Sequence, residues 1–318
     1  MKVVIAEPMA PEGPDILRKE AEVLYLPEMP GTSLVDVIGE ADAIGVRVLK
    51  IDRSLLEKAR KLKIIAKHGV GYDNIDVAAA SEKHIVVVNT PESNAESVAE
   101  HDLGLMLSLA KKITVCDRVL REGRLGSRED YTGTELKDKT LGLVGMGRIG
   151  TTLARQCQAA FTMNVIGYDP YVPVEKALAL GIAKKEKLDH VMQEADFVAV
   201  CIPLTEETAN LIGARELGLM KRSAFLVNSS RGRIVDEAAL YEFLVNKKIA
   251  GAGMDVFVKE PPDKEHPLLS LDNFIATPHC AGSTAEAMKR MSITVAEEIL
   301  RVFHGERPKF PLNPQALG

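Results

Sequence analysis

Short β-rich apolar runs alternate with amphipathic helical stretches from one end of the 318-residue chain to the other. Such alternation predicts parallel sheets joined by crossover helices, the α/β class. The first series of runs places strands at Val3–Ala6, Val23–Leu26, Ala43–Val46, Ile64–Lys67 and Val86–Asn89. A long helix is expected next. Ser93-x-x-Glu96 fits a capping box that opens it, and the apolar run 98–110 continues it. A second series gives strands at Leu141–Val144, Asn164–Tyr168, Phe197–Cys201, Ala224–Asn228, Ala250–Met254 and Phe274–Ala276. These six have the spacing of a dinucleotide-binding sheet. Another helix is expected from just after Ser283 to about His304, followed by a proline-bearing tail.

That tail is too short for a domain and is expected to return to the first series. The predicted organisation is two Rossmann-like domains: a flavodoxin-like substrate domain from residues 1–98 plus 289–318, and an inserted dinucleotide-binding domain over 99–288. The two long helices would be the hinges. The polar, glycine-bearing stretch 122–138 reads as an exposed arm or loop.

Composition narrows the function classes. Apolar residues make up 46% and charged residues 27%, the balance of an ordinary globular enzyme. The net charge is −5 with no basic block, so neither nucleic acid nor an anionic membrane is expected as a partner. No run reaches the ~18 apolar residues of a membrane span. The opening MKVVIAEPMAPEG reads as a strand and a loop and not as a signal peptide, so the expected compartment is the cytoplasm. Cys116, Cys157, Cys201 and Cys280 form no CxxC, so no metal site is expected and buried thiols are the simpler reading.

Gly145-Met146-Gly147-Arg148-Ile149-Gly150 follows the strand TLGLV and opens a helix. In this setting Gly145 permits the tight turn, Gly147 lets the backbone approach a pyrophosphate, and Gly150 lets helix and strand pack closely. The free N–H groups of the helix start favour phosphate. The next strand, NVIGY, ends in Asp169. That carboxylate can accept from ribose hydroxyls and would repel a 2′-phosphate, so NAD is expected over NADP.

Three later strand ends carry charged residues. AFLVN leads to Arg231, AGAGMDVF contains Asp255 and leads to Glu260, and NFIATP leads to His279. Open α/β sheets bind ligands beyond their carboxyl strand ends. Reduction of a 2-keto acid needs a hydride at carbon and a proton at oxygen. His279 suits the proton. Glu260 would orient it and stabilise the imidazolium. Arg231 would anchor the substrate carboxylate and polarise the carbonyl through a fork that lysine lacks.

The segments KHGVGYDNIDV (67–77), NTPESNAESVAEH (89–101), TLGLVGMGRIG (140–150), VNSSRGRIVDEAAL (227–240), AGAGMDVFVKEPP (250–262) and TPHCAGST (277–284) occur in the order found in D-isomer-specific 2-hydroxyacid dehydrogenases, and the chain resembles that family over nearly its whole length. The resemblance implies further roles. Gly69, Val70 and Gly71 would bind the substrate carboxylate through backbone N–H groups, with Val70 near the nicotinamide. Asp255 would hold the nicotinamide carboxamide, with Ser229 and Gly282 lining the same side. Arg148 and Ile149 would lie along the pyrophosphate. Ile202, Pro203 and Thr208 match the loop passing the adenine and ribose, and Asn94 a residue at the interdomain cleft. Family members are usually homodimers through the cofactor domain, with the arm near 100–135 contributing.

Departures qualify the resemblance. The chain has no tryptophan, and Tyr131 is expected where the family often places one. It ends soon after the returning helix, so the regulatory domain of longer phosphoglycerate dehydrogenases, and serine feedback through it, is not expected. Glu260 stands where the related formate dehydrogenases carry glutamine. Arg47, with Lys50 nearby, resembles the arginine that contacts phosphate in phosphoglycerate dehydrogenases, while the alternative is a solvated loop charge. Hydroxypyruvate, glyoxylate and 3-phosphoglycerate all fit, and few aromatics (4%) disfavour bulky aromatic acids. The alternative function is an NAD-sensing, corepressor-like regulator on the same fold. A third reading is oxidation of an unusual substrate such as phosphite.

Overall fold

The computed structural model describes residues 1–317. The chain forms two compact units: Met1–Asn94 together with the segment from Ser283 on, and Ala95–Gly282.

The first unit holds five parallel strands: β1 (Lys2–Ile5), β2 (Glu22–Tyr25), β3 (Ala43–Val46), β4 (Ile64–Lys67) and β5 (Val86–Val88), in the order β2-β1-β3-β4-β5. That is the flavodoxin-like order. Successive side chains of a strand point to opposite faces, so Val4, Ile44 and Ile65 enter one core while Val3, Ile5 and Ile64 enter the other. The helix Ala285–Phe303 closes the second core with Val295, Ala296 and Ile299. Burial on both faces explains why β1, β3, β4 and β5 read as apolar runs, while the edge strand β2 has no buried residue. The tail joins the same unit: Leu312 N–H donates to Val87 O, and Asn313 Oδ1 accepts from Val87 N–H.

The second unit holds seven parallel strands, one more than the sequence pattern predicts. They are β6 (Thr140–Val144), β7 (Asn164–Tyr168), β8 (Ile182–Lys184), β9 (Phe197–Val200), β10 (Phe225–Asn228), β11 (Gly251–Met254) and β12 (Phe274–Ala276), in the order β8-β7-β6-β9-β10-β11-β12. The first six of that order match the dinucleotide-binding 3-2-1-4-5-6, and β12 extends it. The unpredicted strand is β8. It has three residues at the sheet edge, of which only Ile182 is buried, so it offers no apolar run to read.

The long helix spans Ala95–Ala110, but the predicted capping box does not form. Ser93 Oγ lies 3.4 Å from Thr294 Oγ1, and Glu96 pairs with Arg155 and Gln156. A salt bridge to Arg155 and a hydrogen bond from Gln156, both on another helix, take up the Glu96 carboxylate instead. Elsewhere short polar residues do cap helices: Asp52, Asp76, Asp236 and Thr284 each accept from an N–H in the first turn of the helix they precede, contributing about 1 kcal/mol apiece. Among the described residues no helix is long and apolar enough to cross a membrane.

Candidate active site

The glycine turn after β6 has the shape its sequence demands. Gly145 has φ 99°, a conformation that disfavours any side chain, and a Cβ there would stand 2.6 Å from Cys201 O. A Cβ on Gly150 would stand 2.5 Å from Gly145 O, which is why the helix Arg148–Phe161 can pack so close to the turn. Gly147, by contrast, faces open space, and as N-cap it gives the helix no side-chain cap. The fourteen-residue helix thus begins at a residue that contributes no side chain to its first turn. Those features fit a dinucleotide pyrophosphate. Asp169 Oδ2 accepts from Met146 N–H and Oδ1 from Tyr171 N–H, both at 2.9 Å, so the carboxylate is fixed beside the turn. Ile202 and Pro203 follow β9, and Thr208 donates to Pro203 O at 2.8 Å, closing their loop.

Beyond β10, β11 and β12 the three charged residues expected from sequence come together. His279 Nδ1 lies 2.7 Å from Glu260 Oε2. Burial alone would raise the Glu260 carboxyl. Hydrogen bonds from His279 and the Phe257 N–H, with the positive charges of His279 and Arg231, outweigh it and hold the carboxyl below its ordinary range. Glu260 is thus ionised at neutral pH and can only accept, so Nδ1 must carry the proton it donates, and Nε2 is the ring nitrogen left for chemistry. His279 itself has φ 52°, a left-handed backbone unusual for a residue with a side chain. Its N–H donates to Asp255 O at 2.8 Å, which holds that conformation.

Arg231 is positioned by its neighbours. Gly232 lies flush on the Phe257 peptide, where a Cβ would stand 2.0 Å from the carbonyl carbon. Asn228 Nδ2 donates to Arg231 O, and Arg231 Nη1 donates to Ser230 O at 2.6 Å. Ser229 and Gly282, predicted to line the nicotinamide side, are both partly exposed at the ends of β10 and of the His279 loop.

Asp255 is 1% exposed and organises that loop. Its Oδ1 accepts from Thr277 Oγ1 (2.6 Å) and Cys280 N–H (2.9 Å), and its Oδ2 from Ala281 N–H (2.8 Å). The Thr277 proton is therefore committed, so His101 Nε2, 2.9 Å from Thr277 Oγ1, must be the donor in that contact. His101, Asp255 and Cys280 place three potential ligand atoms within 4.8 Å of one another. Three hydrogen bonds to the Asp255 carboxylate knit this group together. Sequence reasoning did not pick out Thr277 or His101, whose partners lie far along the chain.

In the first unit, Gly69 has φ 133° and its N–H is taken by Thr90 Oγ1 at 3.0 Å. Of the predicted carboxylate-binding loop, only the Val70 and Gly71 N–H groups have no protein acceptor among the described residues. Val70 O accepts from Asn89 Nδ2, and Asn94 Oδ1 is buried without a partner among the described residues. Arg47 is half-buried on a loop that Glu7 clamps: the Glu7 carboxylate accepts the Arg47, Val48 and Leu49 N–H groups at 2.6, 3.0 and 3.0 Å. Lys67 Nζ donates to Arg47 O. Lys50 is exposed and pairs with Asp52 at 3.7 Å. Beside this loop the buried His68 is pushed down to about 4, first by burial and then by the Arg47 charge, so it is neutral.

Residues 103–281 match the family model described as D-isomer specific 2-hydroxyacid dehydrogenase, NAD binding domain. The chain belongs to that family. It is 41% identical to the hydroxypyruvate reductase of Thermotoga maritima over 304 residues, covering 94% of this chain and 97% of that one. It is 43% identical over 314 residues to the D-3-phosphoglycerate dehydrogenase of Methanocaldococcus jannaschii, covering 98% of this chain but 59% of the relative, so the chain spans about three-fifths of that protein's length. Among solved structures, a D-lactate dehydrogenase from Aquifex aeolicus complexed with NAD and lactic acid is 29% identical with a TM-score of 0.83, over 96% of each chain. The second unit is thus the family's NAD-binding domain, and the glycine turn and the three charged residues all stand on its sheet.

Proposed function

We propose that the protein is an NAD-dependent dehydrogenase interconverting a small 2-keto acid and the D-isomer of its 2-hydroxy acid. The observation that carries this reading is the 2.7 Å His279–Glu260 contact, with the Arg231 charge acting on Glu260, at neighbouring carboxyl strand ends of an NAD-binding sheet.

In this reading the pyrophosphate rests on Gly145, Gly147 and Gly150 with Arg148 and Ile149. Asp169 takes the ribose hydroxyls, Ile202, Pro203 and Thr208 flank the adenosine, and Val70, Ser229, Asp255 and Gly282 serve the nicotinamide. When bound, the nicotinamide supplies or accepts the hydride at the substrate's C2. The protein does the rest. Arg231 grips the carboxylate and polarises the carbonyl. His279 Nε2 gives a proton to the oxygen in reduction and takes it back in oxidation. Glu260 keeps the Nδ1 proton in place and balances the imidazolium. Val70 and Gly71 N–H groups, with Gly69 and Asn94 shaping their loop, are the substrate contacts of the first unit.

Arg47, held by the Glu7 clamp, selects an anionic or hydroxylated tail. Hydroxypyruvate, glyoxylate and 3-phosphoglycerate are the candidate substrates; the first and third carry a tail for Arg47, and glyoxylate carries none. We read the working protein as a cytoplasmic homodimer formed through the second unit. Support comes from Ile113, Leu120 and Leu125, which stand 52, 63 and 68% exposed on and beside the helix Ile113–Arg121. An apolar row of that kind is what a partner subunit covers.

The test is a panel of 2-keto acids with NADH, followed by loss of reduced-cofactor absorbance. It includes glyoxylate, hydroxypyruvate, phosphohydroxypyruvate, sulfopyruvate, pyruvate and oxaloacetate. One clear winner is expected, and turnover of none of them while NADH binds would overturn the dehydrogenase reading in favour of a cofactor-sensing regulator.

Cofactor choice provides a second expected result. Asp169→Ala should reduce the preference for NADH over NADPH, read as the ratio of kcat/KM, by about 10- to 100-fold. That is the worth of losing charged hydrogen bonds to the ribose together with the repulsion of a 2′-phosphate. An unaltered ratio would remove Asp169 from the ribose site.

A further inference from the structure

The helix Ala95–Ala110 buries a carboxylate inside the second unit. Asp102 is 1% exposed, on a helix whose Ala99, Leu105, Met106 and Leu109 belong to one apolar cluster. Among the described residues its Oδ1 has no hydrogen-bond partner, and its one side-chain hydrogen bond comes from Ser229. No lysine or arginine among the described residues pairs with it. A buried carboxylate without a cation strongly favours its neutral form.

Its surroundings are the ligand-binding end of the sheet. Ser229 follows β10, Asp255 follows β11 and acts on Asp102 through its charge, and the thiols of Cys157 and Cys201 both feel the Asp102 charge. Cys157 lies on the helix that opens at the glycine turn, and Cys201 follows β9. Burial, and then Asp102, push the Cys157 thiol up to about 12 and the Cys201 thiol well above its usual range, so neither competes for the proton. His101, the neighbour on the helix, turns to Thr277 and Asp255. Asp255 spends its carboxylate on the His279 loop. Asp102 holds no such loop, and an asparagine would accept from Ser229 equally well. What aspartate adds is a removable proton.

We propose that Asp102 is a buried proton-binding site linked to the charge of the cofactor, ionised when the oxidised, cationic nicotinamide is bound and protonated when the reduced, neutral ring is bound. The proposal rests on the reading above that the nicotinamide is served by Ser229 and Asp255. Burial first, and Asp255 in addition, push the Asp102 carboxyl up to about 7 against the opposing Ser229 bond. A modest change of local potential therefore moves the proton at neutral pH. The sign follows from charge: a cation nearby favours the carboxylate and releases a proton, while the pyrophosphate is common to both cofactor forms and cancels between them. Asp102 would then disfavour neither form outright, but would tie the balance between them to pH.

The experiment is calorimetric titration of the full protein with NAD+ and with NADH, in buffers of different ionisation enthalpy, which counts protons taken up or released on binding. At pH 7 the wild type should take up more protons with NADH than with NAD+, and Asp102→Asn should shrink that difference by a sizeable fraction of a proton. His279 is present in both proteins and cancels in the comparison. The Kd ratio of NADH to NAD+ should also rise with pH in the wild type, about tenfold for each unit by which the cofactor charge moves the carboxyl. In the variant it should rise less. Equal proton counts in wild type and variant would overturn the linkage while leaving the cofactor reading intact. Failure of the wild type to bind either form would instead overturn the cofactor reading. Should Asp102→Asn not fold, Asp102→Ser provides the same comparison.

Discussion

Replacing His279 with alanine should lower kcat for reduction of the best keto acid by about 10²- to 10⁴-fold, the usual worth of a positioned general acid, while NADH affinity stays where it is. The reasoning starts from the ring itself. Nδ1 is tied to an ionised Glu260, so the tautomer is fixed and Nε2 alone can exchange a proton with substrate. The backbone at φ 52° is held by Asp255 O, and the loop around it by the Asp255 carboxylate. Those anchors use backbone N–H groups that alanine keeps. Glu260 also retains its Phe257 N–H. The loop should therefore survive the substitution with its proton carrier removed. Steady-state kcat at saturating NADH, paired with a fluorescence titration of NADH, separates the two effects. A variant turning over at the wild-type rate would take the proton step away from His279.

How much of this was legible in the sequence follows from what each feature depends on. Strands buried on both faces announce themselves as apolar runs, so nine of them could be read directly, as could the edge strands β2 and β12 from their apolar residues, whereas β8, short and half-exposed at a sheet edge, could not. Arg231, Glu260 and His279 were legible because each follows a readable strand, and parallel strands bring their ends to one side. The glycine turn was legible because its geometry excludes side chains at Gly145 and Gly150. The illegible features are contacts between distant segments. The Ser93–Glu96 spacing promised a box, but Arg155 took Glu96. Glu7, 40 residues away at the end of the neighbouring strand, clamps the Arg47 loop, and Thr277 joins His101 to Asp255. Asp102 vanished into the apolar run 98–110. Its position three residues after Ala99 and three before Leu105, on the apolar face of that helix, was the one signal available.

Arg231→Lys should cut kcat/KM for the keto acid by about 10²- to 10³-fold, the range for losing one preorganised donor at a developing oxyanion. Lysine keeps the positive charge near Glu260, so Glu260 should remain ionised and His279 should keep its orientation. What disappears is the planar fork that can hold a carboxylate with two parallel bonds. The fork is aimed from a rigid base: Gly232 lies against the Phe257 peptide, and Asn228 holds the Arg231 carbonyl. A lysine ammonium on a flexible stem cannot inherit that aim. The division of the loss carries the information. If Arg231 only anchors the carboxylate, KM rises and kcat holds, because ground state and transition state lose the same bond. If it also polarises the carbonyl, kcat falls as well, since charge grows on that oxygen only as the hydride arrives. A rise in KM with a fall in kcat is the expected pattern, and unchanged values of both would remove Arg231 from the substrate. Because the imidazole acts on the same oxygen, Arg231→Lys combined with His279→Ala should cost less than the product of the two single losses, as groups that serve one transition state are not independent.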